Sequence, residues 1–427
     1  MKTIAIIGFG KIGQAIAANA LQHDFRVIAV DTDPAIGERF RQDVFVTNEP
    51  DVQPLLAEAF RSGHLQVRQA LNGDRPDAVI ISIPLRVDDN KKMIDEPFVK
   101  CFRELVPFCS DQLLIVVETS VPVGYCRNTL LPVLESGGKK HGVDFFLAHS
   151  PERIKSGTMM KQLGTVPKVI GGITTAAADA CISLYRLLLK EQLLNRVESI
   201  EAAEMLKLAG MIYRDLNIAL SNQLAMFAQQ AGIDFVSLIP LINTDNEAGL
   251  LQPGIGVGGH CTPVYPYFLV DNFSRAGLDF SLARTGRQIN DSMASFAVSL
   301  IQDKTEKKTA LILGLSFRPN VKEDANSVGA SLYALLQQQG YDVRIHDTEF
   351  GEQEIEAKGM RFEELYDTTA EVVFLVTMHR EYSAIDFSRL AANGVRYIVD
   401  GRNTLSREKI DAAGIAYFGI GRGGGVR

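Results

Sequence analysis

Cysteine is scarce in this chain, at five of 427 residues: Cys101, Cys109, Cys126, Cys181 and Cys261. Their number is odd and no two form a Cys-x-x-Cys pair, which argues against a disulfide framework and against a zinc site. They read as free thiols in a reducing, cytoplasmic setting, and no metal is expected. Long runs of like charge are missing too. Charged residues make up 22% and the net charge is −7, a poor fit to nucleic acid or to an anionic membrane. No apolar run reaches membrane-spanning length. Met1-Lys2-Thr3 leads straight into an apolar strand, without the cleavage pattern of a signal peptide. Low-complexity segments are absent. What is left is a chain 46% hydrophobic, long enough for two or three domains with full cores.

Glycine, by contrast, is concentrated. The stretch Pro253-Gly254-Ile255-Gly256-Val257-Gly258-Gly259-His260-Cys261-Thr262-Pro263 puts four glycines into six residues and leads into a single cysteine. Glycine lets the backbone take positive φ and lie close against a ligand. Pro263 stiffens the exit. A thiolate is a strong nucleophile where neighbours favour it or take its proton. The same residue could equally be a buried, inert thiol beside a turn.

Taken from the start, Thr3 to Gly8 is a short apolar run that suits a buried parallel strand. Gly8-Phe9-Gly10-Lys11-Ile12-Gly13 follows, then helical spacing through Leu21, then a second strand, Phe25 to Val30, closed by Asp31. This is the whole dinucleotide-binding fingerprint. Gly8 makes the tight turn, Gly10 lets a pyrophosphate approach, and Gly13 lets helix and strand pack. Lys11 and Ile12 open the helix whose N-terminus takes the diphosphate. Asp31 would bond the adenosine ribose hydroxyls and repel a 2′-phosphate, which favours NAD over NADP. Asp77 to Pro84 and Gln112 to Glu118 read as further buried strands. The latter ends in Thr119-Ser120-Val121-Pro122-Val123-Gly124, and hydroxyls at the carboxyl end of a parallel strand point into the ligand crevice. Phe145 to Arg153 reads as the last strand of this domain and its exit loop.

Ile200 to Gly232 reads as one long helix, with apolar residues at Met205, Leu208, Ile212, Leu216, Leu220, Leu224 and Phe227. Its length suits a domain link or a homodimer core. Helices are also expected over Asp234 to Asn246 and Leu278 to Asp303. Strands at 309–314, 341–347, 372–377 and 395–400, with a helix from Val328 to Gln339, form a second parallel unit. The tail from Gly421 to Arg427 reads as mobile. The expected fold is α/β: two Rossmann-like, doubly wound parallel-sheet domains joined by a long central helix. The expected domains are 1–195, which binds NAD, 196–304, which is helical and carries the glycine loop, and 305–427, which is Rossmann-like.

With these motifs the chain resembles the UDP-glucose/GDP-mannose 6-dehydrogenase family along essentially its whole length. The matching stretches are GFGKIG, TSVPVG, SPERIKSG, KVIGG, AEMLKLA with YRDLNIALSNQL, PGIGVGGHCTPVYPYFL, RQINDSM, LGLSFRPN and VDGRN. SPER, YRD-NIA, GGHC and PYFL look most like the branch acting on UDP-N-acetylhexosamines, the UDP-N-acetylmannosamine and UDP-N-acetylgalactosamine dehydrogenases. The resemblance implies oxidation of a sugar C6 alcohol to a carboxylate with two NAD, passing through an aldehyde, a thiohemiacetal and a thioester. It makes Cys261 the nucleophile and Lys207 the oxyanion stabiliser. Glu152 takes the acid/base or water-orienting role, and Ser120 stands where a threonine holds the catalytic water. Glu152, Arg153, Lys207, Gly254, Gly256, Gly258 and Gly259, with Arg318 and Arg402, are the expected contacts of the nucleotide sugar. On the residues alone, Lys207 could be a solvated side chain and Glu152 a cap on the turn after Pro151.

Five departures stand out. Met211 replaces an asparagine one helical turn after the lysine. Tyr265 replaces an aspartate four residues after the cysteine. Ser156 and Ala325 replace an acid and an arginine, and Ile83-Pro84-Leu85-Arg86 replaces a Pro-Thr-Pro turn; Arg318 keeps the charge of a lysine. A tyrosine, with an ordinary pKa near ~10, is a poor base at neutral pH, so thioester hydrolysis is the exposed step. The expected activity is that of an NAD-dependent nucleotide-sugar 6-dehydrogenase making a uronic acid for a surface polysaccharide or glycosylated metabolite. The alternatives are a single two-electron oxidation, an unusual nucleotide sugar, or a non-catalytic paralogue that only binds.

Overall fold

The computed structural model describes residues 2–42, 44, 49, 51–88 and 90–423. The chain divides into two compact units: Met1–Gly210 with Asp271–Ala276, and Met211–Val270 with Gly277–Arg427.

The first unit is built on an eight-stranded sheet: β1 (Thr3–Ile7), β2 (Arg26–Val30), β3 (Leu65–Arg68), β4 (Ala78–Ile81), β5 (Leu113–Val117), β6 (Phe145–His149), β7 (Lys168–Gly172) and β8 (Leu194–Arg196), in the order β8-β7-β6-β5-β4-β1-β2-β3. The central strands are unbroken apolar runs, such as Leu113-Leu114-Ile115-Val116-Val117, buried at every position because both faces are covered. All neighbours pair parallel except β6 and β7, which are antiparallel. Phe145–His149 is therefore not the last strand; two more follow it. Helix α1 (Lys11–Gln22) packs small residues, Ala15, Ala17, Ala18 and Ala20, into the core beside Ile4, Ile6 and Val27. The strand order reverses between β1 and β4. The carboxyl ends of β1, β4 and β5 carry the glycine fingerprint, Ser82 and the Thr119-Ser120 turn. That reversal is where such a sheet opens a ligand crevice.

Helix α2 (Thr175–Tyr185) completes this unit, and α3 (Ile200–Ala231) is the long helix. Helix α4 (Tyr265–Arg275) begins four residues after Cys261 and was not among the expected elements. Helix α5 spans Ser281–Ser299, and Phe235–Ile242 is a short helix ending before the expected Asn246. The second sheet holds β9 (Thr309–Leu313), β10 (Asp342–His346), β11 (Val372–Leu375), β12 (Tyr397–Asp400) and β13 (Ala416–Gly419). Its order is β10-β9-β11-β12-β13, all parallel. Helix α6 (Val328–Gln338) packs Leu332, Tyr333 and Leu336 on one face of it. The order reverses again, between β9 and β11. The tail is anchored as far as it is described. Phe235 N–H donates to the Gly421 carbonyl at 2.9 Å, and Arg422 pairs with Asp234 at 3.0 Å. Residues 424–427 of the expected mobile tail lie outside the described residues. Among the described residues no helix is long and apolar enough to cross a membrane.

Candidate active site

The fingerprint turn shows three glycines with three different reasons. Gly8 has φ +91°, and a Cβ there would meet Ile83 N at 2.8 Å. A Cβ at Gly13 would lie 2.1 Å from the Gly8 carbonyl oxygen, so helix and strand meet only without it. A Cβ at Gly10 would meet no protein atom within 4 Å. The fold does not require a bare Gly10. No side chain caps α1 at Gly10, so the N–H groups that Lys11 and Ile12 bring to its first turn face the position of a diphosphate. Asp31 ends β2. Its carboxylate accepts N–H bonds from Phe9 at 2.8 Å and Asp33 at 3.0 Å, which fixes it beside the turn. A cavity of about 520 Å³ adjoins it, lined by Asp31, Pro34, Gly37, Arg41, Val67 and Arg68. These residues fit an adenine dinucleotide: Gly8, Gly10, Lys11, Ile12 and Gly13 at the diphosphate, Asp31 at the ribose.

The carboxyl end of β5 carries a second group. Thr119 Oγ1 donates to the Ile83 carbonyl at 2.6 Å, and Ser120 beside it is buried. The following turn is pinned by Glu204 of α3, whose carboxylate accepts from Gly124 N–H at 2.5 Å and Cys126 N–H at 2.9 Å. Burial raises Glu204 to about 7 against those bonds. Asn272 brackets Val123, accepting from its N–H at 3.0 Å and donating to its carbonyl at 2.9 Å. Lys207 is buried, and its Nζ donates to the Glu152 carbonyl at 2.9 Å. It is not a solvated side chain on the helix's polar face. Glu152 does cap its turn, accepting from the N–H groups of Arg153 at 2.6 Å and Ile154 at 3.0 Å. It also pairs with Lys168 at 2.6 Å. Lys168 meets Glu118 as well, at 2.9 Å. Arg153 folds back onto the Pro167 carbonyl. Ser156, where an acid was expected, is buried.

In the second unit the glycine loop is gripped from three sides. Gly259 N–H donates to the Ala325 carbonyl at 2.8 Å, and Asn326 Nδ2 donates to the Gly259 carbonyl at 3.0 Å. A Cβ at Gly258 would strike Phe317 and the Asn326 carbonyl, at 2.8 and 2.9 Å. Gly256 takes φ +147° against Val328, and a Cβ at Gly254 would meet the Gly401 carbonyl at 3.1 Å and Arg402 Nη1 at 3.5 Å. The SFRPN and VDGRN turns, which carry Arg318 and Arg402, thus flank the loop. Arg402 Nε donates to the Val376 carbonyl at 2.7 Å. Burial lowers its guanidinium below the ordinary value, with Asp400 opposing. Beneath the loop runs a buried polar chain that sequence reasoning missed. Arg287 donates to Asp215 at 2.7 Å. Asn290 Nδ2 donates to Asp215 at 2.8 Å, Asn222 Nδ2 to Asn290 at 2.9 Å, and Gly254 N–H to Asn222 Oδ1 at 2.9 Å. Polar residues inside helical spacing were the available signal.

Cys261 is half-exposed, whereas the other four cysteines are buried. It is therefore not fully buried. Its carbonyl accepts from the N–H groups of Val264 at 3.1 Å and Tyr265 at 2.9 Å, which seats it just before α4. Its Sγ lies 3.5 Å from the Tyr265 hydroxyl, whose ring stacks on Phe268. The residue standing where an aspartate was expected therefore touches the sulfur.

The chain matches three models of one family: the NAD binding domain of the UDP-glucose/GDP-mannose dehydrogenase family over residues 2–189, its central domain over 201–292, and its UDP binding domain over 311–407. A UDP-N-acetyl-D-mannosamine dehydrogenase of Pyrococcus horikoshii is 28% identical, covering 98% of this chain and 99% of that protein. An NDP-N-acetyl-D-galactosaminuronic acid dehydrogenase of Ralstonia nicotianae is 28% identical over 96% of this chain and 98% of its own length. The solved Pyrococcus horikoshii structure superposes with a TM-score of 0.89, over 99% of both chains. A UDP-N-acetyl-mannosamine dehydrogenase structure from Staphylococcus aureus, 25% identical, does so with 0.84 over 98% of both. The glycine turn that fits a dinucleotide falls in the NAD binding match and the gripped loop's flanking turns in the UDP binding match, so the chain belongs to the UDP-glucose/GDP-mannose dehydrogenase family.

Proposed function

We propose that this NAD-dependent nucleotide-sugar dehydrogenase oxidises the C6 hydroxyl of a UDP-N-acetylhexosamine to the uronic acid, through covalent intermediates on Cys261. NAD, when bound, would supply the hydride acceptor, one molecule for each of two successive oxidations. Once C6 is an aldehyde, the Cys261 thiolate adds to the carbonyl carbon and the oxygen becomes an alkoxide, which the Lys207 ammonium stabilises. Loss of the second hydride from that carbon leaves a thioester. Water adds to it, its proton passing to Glu152, and the C–S bond breaks to return the thiolate and release the carboxylate. Ser120 is the hydroxyl that holds this water. Arg318, Arg402 and the N–H groups of Gly256 and Gly258 hold the diphosphate. The observation that carries the reading is Cys261: partly exposed where its four fellows are buried, at the end of a glycine loop packed closely on its neighbours. A panel of UDP-N-acetylhexosamines, UDP-hexoses and GDP-mannose, followed by NADH absorbance, tests the substrate. The N-acetylated UDP-sugars should give the highest kcat/KM; a preference for GDP-mannose would refute the class.

Tyr265 favours one refinement. Its hydroxyl touches the sulfur but is a poor base, so deacylation is slow and the thioester accumulates, or the oxidation stops early. The three family matches support an organisation of NAD-binding, central and UDP-binding domains close to 1–195, 196–304 and 305–427. The working form is a homodimer: Tyr213, Leu220, Leu224 and Phe227 of α3 are exposed along one stripe, Tyr213 and Phe227 to 66% and 65%. The free thiols suit the cytoplasm, where the uronic acid would feed a polysaccharide.

A further inference from the structure

Around Glu152 the first unit buries more ionisable groups than the reaction uses. Lys168, at the start of β7, has a side chain only 6% exposed. Its Nζ lies 2.6 Å from Glu152 and 2.9 Å from Glu118, whose side chains are 8% and 0% exposed. The Tyr185 hydroxyl donates to Glu118. One ammonium thus serves two buried carboxylates. Without a cation, two carboxylates this close and this dry cannot both stay ionised. Their other donors are unequal. Glu152 accepts two backbone N–H bonds, Glu118 one phenol. Charge is therefore favoured on Glu152, and the exchangeable proton falls to Glu118. Burial drives Glu118 up towards neutrality, while at Glu152 burial is overcome by Lys168 and the N–H groups, which hold it well below the carboxylate range.

We propose that Lys168 is a positioning residue that keeps Glu152 ionised and fixed, with Glu118 holding Lys168 in place and taking the shared proton. The inference rests on the reading of Glu152 as the group that activates the hydrolytic water. The other ionisable groups facing the cluster cannot replace Lys168. Burial lowers His149 to about 3, so it is neutral, and burial raises the Cys181 thiol. Lys207 holds the Glu152 carbonyl.

The test is the pH dependence of uronic acid release, with NAD binding and thermal unfolding followed in each variant. Lys168→Met should bring an acid limb into the neutral range, rising by about two units or more, because Glu152 loses its cation beside a second carboxylate. Lys168→Arg keeps the charge and should not. Adding Glu118→Gln to Lys168→Met keeps a neutral group where Glu118 holds the proton and should leave the limb within about half a unit. Lys168→Met slowing the reaction equally at every pH, or a limb that Glu118→Gln moves by about a unit or more, would overturn the proposal. If Lys168→Met does not fold, Glu118→Gln alone decides. It should slow hydrolysis far less than Glu152→Gln does, and an equal loss contradicts the positioning role. Glu152→Gln separates the two claims. Wild-type hydrolysis in that variant sinks the reading of Glu152 and the proposal with it; arrested hydrolysis with no limb in Lys168→Met sinks the positioning alone.

Discussion

Gly10 and Gly13 are three residues apart and bare for opposite reasons, so alanine should separate them. At Gly13 the new methyl would meet the Gly8 carbonyl at 2.1 Å, a clash costing about 1–3 kcal/mol or more in stability. At Gly10 it meets nothing, so unfolding should move by less than about 0.5 kcal/mol, while NAD affinity falls about tenfold for each 1.4 kcal/mol of lost approach. Paired thermal unfolding and NAD titrations read both. The role proposed for Asp31 in cofactor choice predicts a higher kcat/KM for NAD than for NADP in wild type, a gap that Asp31→Ala should narrow. Equal values in wild type would contradict the role. His149 gives a pH prediction. Its ring is fully buried, and burial lowers it to about 3 against a backbone hydrogen bond at Val117. The unfolded chain then binds this proton between pH ~6.5 and ~3 while the folded one does not. Its contribution is fully present above ~6.5 and is lost as pH falls, by at most about 1.4 kcal/mol per unit. His149→Leu should therefore gain thermal stability relative to wild type between pH 7 and pH 5; a constant difference would contradict the assignment. At this scale the sequence was readable where spacing is local. The fingerprint and Asp31 sit within one strand-helix-strand run. Glu118 and Lys168 were passed over, because a glutamate after a strand and a lysine at the start of one look ordinary until the sheet brings them 2.9 Å apart.

At the scale of elements, the glycine loop and helix α3 carry the testable claims. The loop's rigidity comes from Asn222 and Asn290 below it and Phe317 and Asn326 beside it. Asn222→Ala removes the acceptor for Gly254 N–H and should raise KM for the nucleotide sugar while leaving KM for NAD unchanged. The long helix was legible from its 3.6-residue period, yet the same pattern hid a division of labour. Leu208 and Ile212 are buried, and Leu220, Leu224 and Phe227 are exposed. Leu224→Glu with Phe227→Arg should convert a dimer to monomer by light scattering at micromolar concentration; a wild-type monomer would remove the idea. Strands β3 and β8 escaped sequence reading because they are three or four residues long and partly polar, as in Leu65-Gln66-Val67-Arg68, while β7 and β13 are apolar but short and end in glycine. Helix α4 escaped because Pro263 and Pro266 at its start read as breaks, although a local turn closed on the Cys261 carbonyl leads into it.

For the whole molecule, the resemblance that ran along the chain in motifs returns as family matches over nearly all of it, and the two α/β sheets follow from alternating strand and helix signals. The account stands or falls on Cys261 as the covalent centre of two successive oxidations. The direct measurement mixes enzyme, NAD and the preferred UDP-N-acetylhexosamine, quenches in acid, and records intact mass beside NADH released per sugar. The account predicts two NADH per sugar at completion and, during turnover, an adduct of sugar-nucleotide mass that is absent in Cys261→Ser. Replacing Tyr265 by Asp and Met211 by Asn together should drain that adduct faster. Uronic acid made by Cys261→Ser at the wild-type rate, with no adduct in the parent enzyme, would contradict it.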